Sequence, residues 1–272
     1  MITRLGTPHR DVLRALLCTQ PVTNLFLIRF LETVPMGRAW WLGYGQTGRL
    51  DAALLLIPKR LAVPFAPAAA HAEHMGRMLQ PSSAPRILVG PRQACDALWR
   101  GWSPRCEIVR WYDQRLYVLD AIAPGAPPAG LRLGRADEWP EIARHSAQME
   151  REDLGIDPRV IEPDEHRKKV KERLANGRTW VMERDGGIAF MVNVGTQSDL
   201  GAQIGGTWVP PEHRGKGLAK AGVAGVCRVL MDEYPRVTLH VNEANRPAVR
   251  CYERVGFAAA DAFRLAVTEV PT

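Results

Sequence analysis

The sequence predicts an α+β fold in which a mixed, mostly antiparallel central sheet is flanked by helices, and it predicts two such domains in tandem. Three observations lead there. A chain of 272 residues is long for one compact core and comfortable for two domains of about 130 residues. Its second half alternates period-two segments with segments of helical period, in the order strand, helix, helix, three strands, helix, strand, helix, strand. The first half offers a comparable order, although no repeat is visible residue by residue.

The first half reads as two helices, "HRDVLRALL" and "NLFLIRFLETV", then strands "AWWLGYG", "LDAALLLI" and "LAVPFA", a helix "HAEHMGRMLQ" and a strand "RILVG". Residues 120–130, "DAIAPGAPPAG", hold three prolines and two glycines, a composition that favours an extended linker over a packed element. The expected domains are therefore 1–125 and 126–272. Beyond the linker a short strand "LRLG" leads into a helix that Asp137 should cap, with Trp139, Ile142, Ala143 and Met149 on its inner side. A second helix is expected over 164–175, stopped by Asn176-Gly177, its outer face carrying Lys168, Lys169, Lys171 and Arg173 to solvent. Asp185-Gly186-Gly187 has the chemistry of a tight hairpin turn inside "TWVMERDGGIAFMVNVG", and "AQIGGTWV" supplies a third antiparallel strand. A helix over 217–233, a buried strand "RVTLHV", a helix "RPAVRCYERVG" and a last strand or pair in "FAAADAFRLAVTEV" complete the chain.

Composition excludes several classes. With 46% hydrophobic and 24% charged residues and no apolar run near the roughly 20 residues that span a bilayer, no membrane segment is expected. The N-terminal stretch "MITRLGTPHRDVLRALLCTQ" lacks a continuous apolar core with a small-residue cleavage site, so the expected location is the cytoplasm. Five widely spaced cysteines, Cys18, Cys95, Cys106, Cys227 and Cys251, signal neither a disulfide framework nor a metal site. Residues 1–128 contain 15 Lys and Arg against 8 Asp and Glu, and the rest of the chain contains 21 of each, so the whole net charge of +7 lies in the first half. These are isolated arginines rather than a run, which reads first as a solvated surface, with an acidic partner or nucleic acid as the minority reading.

The segment that carries chemistry is "TWVPPEHRGKGLAKAGVAGV", residues 207–226. Glycines let a backbone approach a ligand closely, and the exposed amides of a helix start suit a phosphate. Gly215 and Gly217 flank Lys216 at such a start. A phosphate loop of the G-x-x-x-x-G-K-[ST] kind is excluded, because Gly217 stands where the hydroxyl residue should be, and a dinucleotide fingerprint lacks its third glycine.

With a second segment, "NRPAVRCYERVGF", this stretch resembles the GNAT superfamily of acyl-CoA-dependent N-acyltransferases. Arg214, Gly217 and Ala219 match the family's Arg/Gln-x-x-Gly-x-Gly/Ala loop, preceded by Val209-Pro210-Pro211, while Asn245, Ala248, Tyr252, Gly256 and Phe257 match its second signature in the right order. The resemblance covers about residues 130–272. The first half shares the element order without either signature, which resembles bacterial proteins that place a degenerate GNAT-like domain before an intact one.

What the resemblance implies is acetyl-CoA as co-substrate, no metal, and direct transfer of the acetyl group to an amine in a ternary complex. Main-chain amides of Gly215, Lys216, Gly217, Leu218, Ala219 and Lys220 would hold the pyrophosphate, with Arg214 and Lys216 adding charge. Trp208 and Val209 would pair with the pantetheine and supply an oxyanion donor, Asn245 would steady the pantetheine, and Tyr252 would protonate the leaving thiolate. The base stays open, because the strand before the loop reads Gln203, Gly205, Thr207 with no carboxylate. His240, Glu243, Glu150, Glu152 and Asp153 are the candidates, and the acidic "MEREDLGIDP" would attract a cationic amine. The expected partner is a small-molecule or peptide amine, with a homodimer left open. A protein that binds acyl-CoA without turnover is the alternative.

Overall fold

The computed structural model describes residues 1–46, 48–102 and 107–268. Its residues form two compact units, described separately. The first comprises Met1–Leu116, His240–Ala244 and the C-terminal segment from Ala259, and the second comprises Tyr117–Leu239 and Asn245–Ala258. The sequence places the division at 125/126 and gives everything after it to one domain; the compact units divide nine residues earlier and return the C-terminal strand to the first unit.

In chain order the first half contains β1 (Ile2–Leu5), α1 (Arg10–Leu17), α2 (Leu25–Thr33), β2 (Trp40–Gln46), β3 (Arg49–Ile57), β4 (Leu61–Phe65), α3 (Ala69–Arg77), β5 (Ile87–Pro91), α4 (Arg92–Trp102) and β6 (Ile108–Leu119). Sequence reading finds all but β1, α4 and β6. The missed helix α4 lies in "RQACDALWRGW", whose buried Ala94, Cys95, Ala97, Leu98 and Trp102 include few strongly apolar side chains, so its helical stripe is faint. The second half contains β7 (Leu131–Leu133), α5 (Trp139–Leu154), α6 (Pro158–Ile161), α7 (Pro163–Ala175), β8 (Thr179–Arg184), β9 (Gly187–Ser198), β10 (Gly201–Trp208), α8 (Leu218–Met231), β11 (Val237–Asn242), α9 (Arg246–Val255) and β12 (Ala258–Thr268).

The two units repeat one plan. In the first, β1, β2, β3 and β4 pair antiparallel in that order and β4 pairs parallel with β5. In the second, β7, β8, β9 and β10 pair antiparallel and β10 pairs parallel with β11. Asp185 (φ +54°) and Gly186 (φ +80°) make the β8–β9 hairpin, both with the positive φ that a two-residue turn of this hand demands. β12 is a single strand, and it pairs antiparallel with β5 from Phe263↔Pro91 to Val267↔Ile87, inside the first unit.

Local chemistry explains the element ends. Asp137 does not cap α5: it falls in a 3-10 turn over Ala136–Glu138, and Glu138 accepts from the Arg135 amide at 2.6 Å instead. Arg132 and Arg135 grip the same carboxylate, which holds Glu138 below the usual carboxylate range, chiefly through the Arg132 hydrogen bond. Gly155 (φ +66°) closes α5 and Gly177 (φ +62°) follows α7, as left-handed helix stops. The core of the second unit joins Ile142 and Ala143 of α5, Val170 and Leu174 of α7, Val181, Ile188 and Met191 of the sheet, and Trp208. Each large apolar side chain buried there contributes about 1.5–3 kcal/mol. The linker expected at 120–130 is irregular but anchored, since Arg228 Nε donates to the Ala123 carbonyl at 3.0 Å.

Candidate active site

The site is built where β10 meets α8. The parallel ladder between β10 and β11 is made at Ala202↔Val237 and Gln203↔Thr238, while β10 continues to Trp208. Among the described residues the ladder ends there, which opens the sheet along the rest of β10. On the other side of β10 the register against β9 shifts between Gly205 and Trp208. Gly206 takes φ +62° in this bulge, and a Cβ there would lie 2.5 Å from Asn193 Nδ2, so the turn of the strand requires glycine. The bulge re-aims Thr207 and Trp208.

Nine residues, 209–217, connect β10 to α8. Gly215 (φ +75°) and Gly217 (φ +78°) both adopt the left-handed region, and a Cβ on either would meet nothing within 4 Å. Gly217 caps α8 without a side chain, and the first helical turn carries Lys220 and no acid. Free amides, open space above two glycines and the positive end of a 14-residue helix are the donor set that a diphosphate requires, so these residues fit the pyrophosphate of an acyl-CoA. The corresponding connection in the first unit, between β4 and α3, is only Ala66-Pro67-Ala68. It is too short to form such a cradle.

The two cations expected at the loop are turned to other partners. Arg214 Nε donates to the Val209 carbonyl at 3.0 Å, its Nη2 lies 2.9 Å from Glu152 Oε2, and its guanidinium stacks over Trp208 at 4.6 Å. Lys216 Nζ donates to the Glu212 carbonyl at 3.0 Å. Asn245 works as the cap of α9, its Oδ1 accepting from the Ala248 amide at 3.2 Å, while its Nδ2 donates to Asp153 Oδ1 at 3.4 Å.

Tyr252 is 8% exposed and packs edge-on against Phe257, centroids 5.9 Å apart. Burial pushes its phenol up to about 12; the nearby Thr207 hydroxyl opposes this, and Cys251, Asp153 and Cys227 add to it. Asp153, in the last turn of α5 and exposed overall, has a carboxyl held above the ordinary aspartate range by its crowded surroundings and by Glu152, against the influence of Asn245 and Arg214.

The remaining candidates have partners of their own. Glu243 belongs to the first unit, where its Oε1 lies 2.9 Å from Arg92 Nη2 and 3.0 Å from Arg115 Nη2. Burial raises its carboxyl, but the two arginines outweigh that and leave it below the usual range, which makes it a weaker base. His240 also belongs to the first unit; its ring stacks on Phe263 at 4.3 Å, and burial lowers its imidazole to about 4. Glu150 accepts from Ser146 Oγ at 3.4 Å. Among the described residues no group of acids, histidines and cysteines could hold a metal ion.

Sequence reasoning missed His145. It is 2% exposed, accepts from the Trp208 indole Nε1 at 3.3 Å through Nδ1, and lies 3.5 Å from Glu141 Oε1 through Nε2. Nε2 also lies 3.1 Å from Arg144 Nη2, so the donor and acceptor roles of the ring follow its tautomer. Burial and Arg144 lower its pKa against the pull of Glu141, so a neutral imidazole holds the Trp208 ring beside the loop. The available signal was a histidine three residues after Ile142, on the inner side of α5.

Comparison with known proteins agrees with this geometry. Residues 139–257 match the model of the acetyltransferase (GNAT) family. The chain is 29% identical over 99 residues to the peptidyl-lysine N-acetyltransferase YiaC of Escherichia coli K12, a match covering 36% of this chain and 62% of that protein. A tandem GNAT protein from the clavulanic acid biosynthesis pathway is 16% identical with a TM-score of 0.58, covering 100% of this chain and 99% of its own. A GCN5-related N-acetyltransferase from Sphaerobacter thermophilus is 16% identical with a TM-score of 0.59, covering 100% and 96%. A GNAT-family acetyltransferase from Colwellia psychrerythraea is 10% identical with a TM-score of 0.57, covering 98% and 99%. At these identities the structural matches establish the fold.

Proposed function

We infer from the match of residues 139–257 to the acetyltransferase (GNAT) family that the chain is an acetyl-CoA-dependent N-acetyltransferase acting on a primary amine by direct attack. The observation that carries the reading is the loop at the head of α8, with Gly215 and Gly217 in left-handed conformation under open space. The amides of residues 215–220 would bind the diphosphate, and the unpaired edge of β10 would bind the pantetheine as an added strand does. The thioester, when bound, supplies an activated acetyl carbonyl. A main-chain amide near Trp208 or Val209 would stabilise its oxygen as charge develops. Tyr252, with a phenol at about 12, stays neutral beside a leaving thiolate whose conjugate thiol has a pKa of about 8.5. Full proton transfer between them would be uphill, so the phenol acts by donating a hydrogen bond to the departing sulfur. No metal enters this mechanism.

A glutamate at position 217 would place a carboxylate over the amides that receive the diphosphate and would strain a backbone held at φ +78°. Gly217→Glu should therefore abolish CoA binding by calorimetry while the circular dichroism spectrum stays that of wild type. Unchanged CoA affinity in this variant would overturn the cofactor assignment.

One observation favours a second reading. β10 carries no carboxylate, and Glu152 is ion-paired to Arg214, as a protein that senses acyl-CoA without turnover would tolerate. Wild-type protein that binds CoA but transfers to no member of a broad amine panel would establish that reading instead. The acceptor is a small-molecule or peptide amine, the expected compartment is the cytoplasm, and a homodimer is compatible with this mechanism.

A further inference from the structure

We propose that His145 is a positioning residue of the transfer reaction: by accepting the indole N–H of Trp208 it fixes the Trp208–Arg214 stack and, through that stack, the main chain at Val209, where the thioester would be held. This rests on the N-acetyltransferase reading. The placement of the groups is the first argument. His145 is buried on the inner side of α5, and Trp208 is the buried last residue of β10. The indole Nε1 donates to the imidazole Nδ1 at 3.3 Å. The Arg214 guanidinium lies over the same indole at 4.6 Å, and Arg214 Nε donates to the Val209 carbonyl at 3.0 Å. A run of contacts therefore leads from a buried histidine to the strand end that borders the cofactor loop.

The second argument is the hydrogen-bond capacity of the ring. A neutral imidazole has one donor and one acceptor. Nε2 lies 3.5 Å from Glu141 Oε1 and 3.1 Å from Arg144 Nη2, so two arrangements compete. With the proton on Nε2, Nδ1 accepts from Trp208 and Nε2 donates to Glu141. With the proton on Nδ1, Nε2 accepts from Arg144, and two N–H groups face each other across 3.3 Å. Arg144 is exposed over half of its side chain and can turn to water. The indole N–H is buried and cannot, so losing its acceptor costs the full desolvation of that donor. The first arrangement therefore prevails. Glu141 is itself anchored, because its Oε1 accepts from the Ile188 amide of β9 at 3.0 Å, which ties the ring's tautomer to the sheet.

The charged groups facing the imidazole are Arg144 and Glu141 on its own helix and Glu212 from the turn before the loop. From α7, His166 Nε2 lies 2.9 Å from the Ala143 carbonyl and Arg173 Nη2 lies 3.5 Å from Ser146 Oγ. Burial, and after it Arg144, hold the ring below the ordinary histidine range against the two acids. A histidine whose folded value is lowered contributes stability that is complete above its unfolded value of about 6.5 and is lost as pH falls through the lowered folded value. A protonated ring carries N–H at both nitrogens and offers the indole no acceptor. The Trp208–Arg214 stack should therefore loosen on the acid side, and the CoA site with it.

The test compares the full chain with His145→Leu and His145→Asn. Leucine fills the space and accepts nothing, whereas an asparagine amide oxygen stands near the place of Nδ1 and accepts without titrating. At mildly alkaline pH, kcat with acetyl-CoA and a lysine peptide should fall roughly 10–10²-fold in His145→Leu, the cost of a misplaced reacting group. The KM for the peptide should stay unchanged, and His145→Asn should recover most of the lost rate. Below about pH 6.5 wild type should lose CoA affinity, read by calorimetry, while His145→Asn keeps it. The indole N–H resonance of Trp208, assigned by its absence in Trp208→Phe, should exchange slowly with solvent in wild type and His145→Asn and rapidly in His145→Leu. A His145→Leu variant with wild-type kcat, or a loss that His145→Asn does not restore, would overturn the assignment and leave the enzyme reading intact. If leucine prevents folding, His145→Asn decides: an acid-side CoA affinity falling in parallel with that of wild type would overturn the assignment as well. Wild-type protein that binds CoA and acetylates no amine would overturn the enzyme reading, and the affinity and indole readouts, which need no turnover, would still decide what His145 holds.

Discussion

Tyr252 shows how environment sets what a residue can do. On an open helix face its phenol would titrate near 10; buried beside Phe257, with Asp153 and two cysteines nearby, it is held at about 12. A hydrogen bond to a charged partner is worth about 1.5–3 kcal/mol. Removing the hydroxyl in Tyr252→Phe keeps the ring packing, so turnover should fall roughly 10–10²-fold with CoA affinity unchanged. The loss should shrink with a thioester of a more acidic thiol, whose sulfur needs less stabilisation. Full activity of Tyr252→Phe on a confirmed acceptor would make the residue a packing element. Both signature residues were legible in the sequence because Asn245 and Tyr252 stand in a fixed pattern. His145 was not, because a lone histidine gains meaning only from the Trp208 indole at 3.3 Å, which lies 63 residues away in the chain.

Helix α8 illustrates the same division at the scale of an element. Its span over 217–233 was readable, and so was the glycine-rich start. What requires Gly222 is the fully buried Phe190 ring of β9, 2.4 Å from where a Cβ would stand. Gly222→Ala should therefore destabilise the protein by about 1–3 kcal/mol. Gly205→Ala, where a Cβ meets nothing within 4 Å, should change the melting temperature far less. Thermal unfolding of the two variants in parallel checks this, and equal effects would contradict the packing account. The same logic governs α3 and α4, where a Cβ on Gly76 would reach the Leu98 carbonyl oxygen at 2.3 Å and one on Gly101 the Glu73 carbonyl oxygen at 2.0 Å. Two backbones meet at those glycines, with no flexible side chain to yield.

At the scale of the whole molecule, the two units share one strand plan and differ at one junction. Nine residues with two left-handed glycines follow β10, and three residues follow β4. The first unit should accordingly show no CoA affinity of its own. Its sheet also takes β12 against β5, so a fragment of residues 1–125 lacks the partner of an edge, and a fragment of 128–272 carries that partner unpaired. Exposed edges of this kind aggregate. Each fragment expressed alone should be insoluble or poorly folded, and co-expression should recover both; a soluble, cooperatively folded 1–125 fragment would contradict the strand assignment.

Much of this protein was determined by its sequence alone: the alternation of periods in the second half, the Asp185-Gly186 turn, the glycine stop of α7, the loop of Arg214 to Ala219 and the Asn245 to Tyr252 signature are all local, set by backbone sterics and short-range periodicity. Tertiary structure decided what depends on partners distant in the chain. It gave β12 to the first unit, since an apolar strand carries no mark of which edge it will pair with. It turned Arg214 onto Glu152, 62 residues away, and drew Glu243 to Arg92 and Arg115. It also set Asp153 against Asn245, because a carboxylate's strength as a base follows from burial and neighbouring charge, and neither is written in the residues beside it.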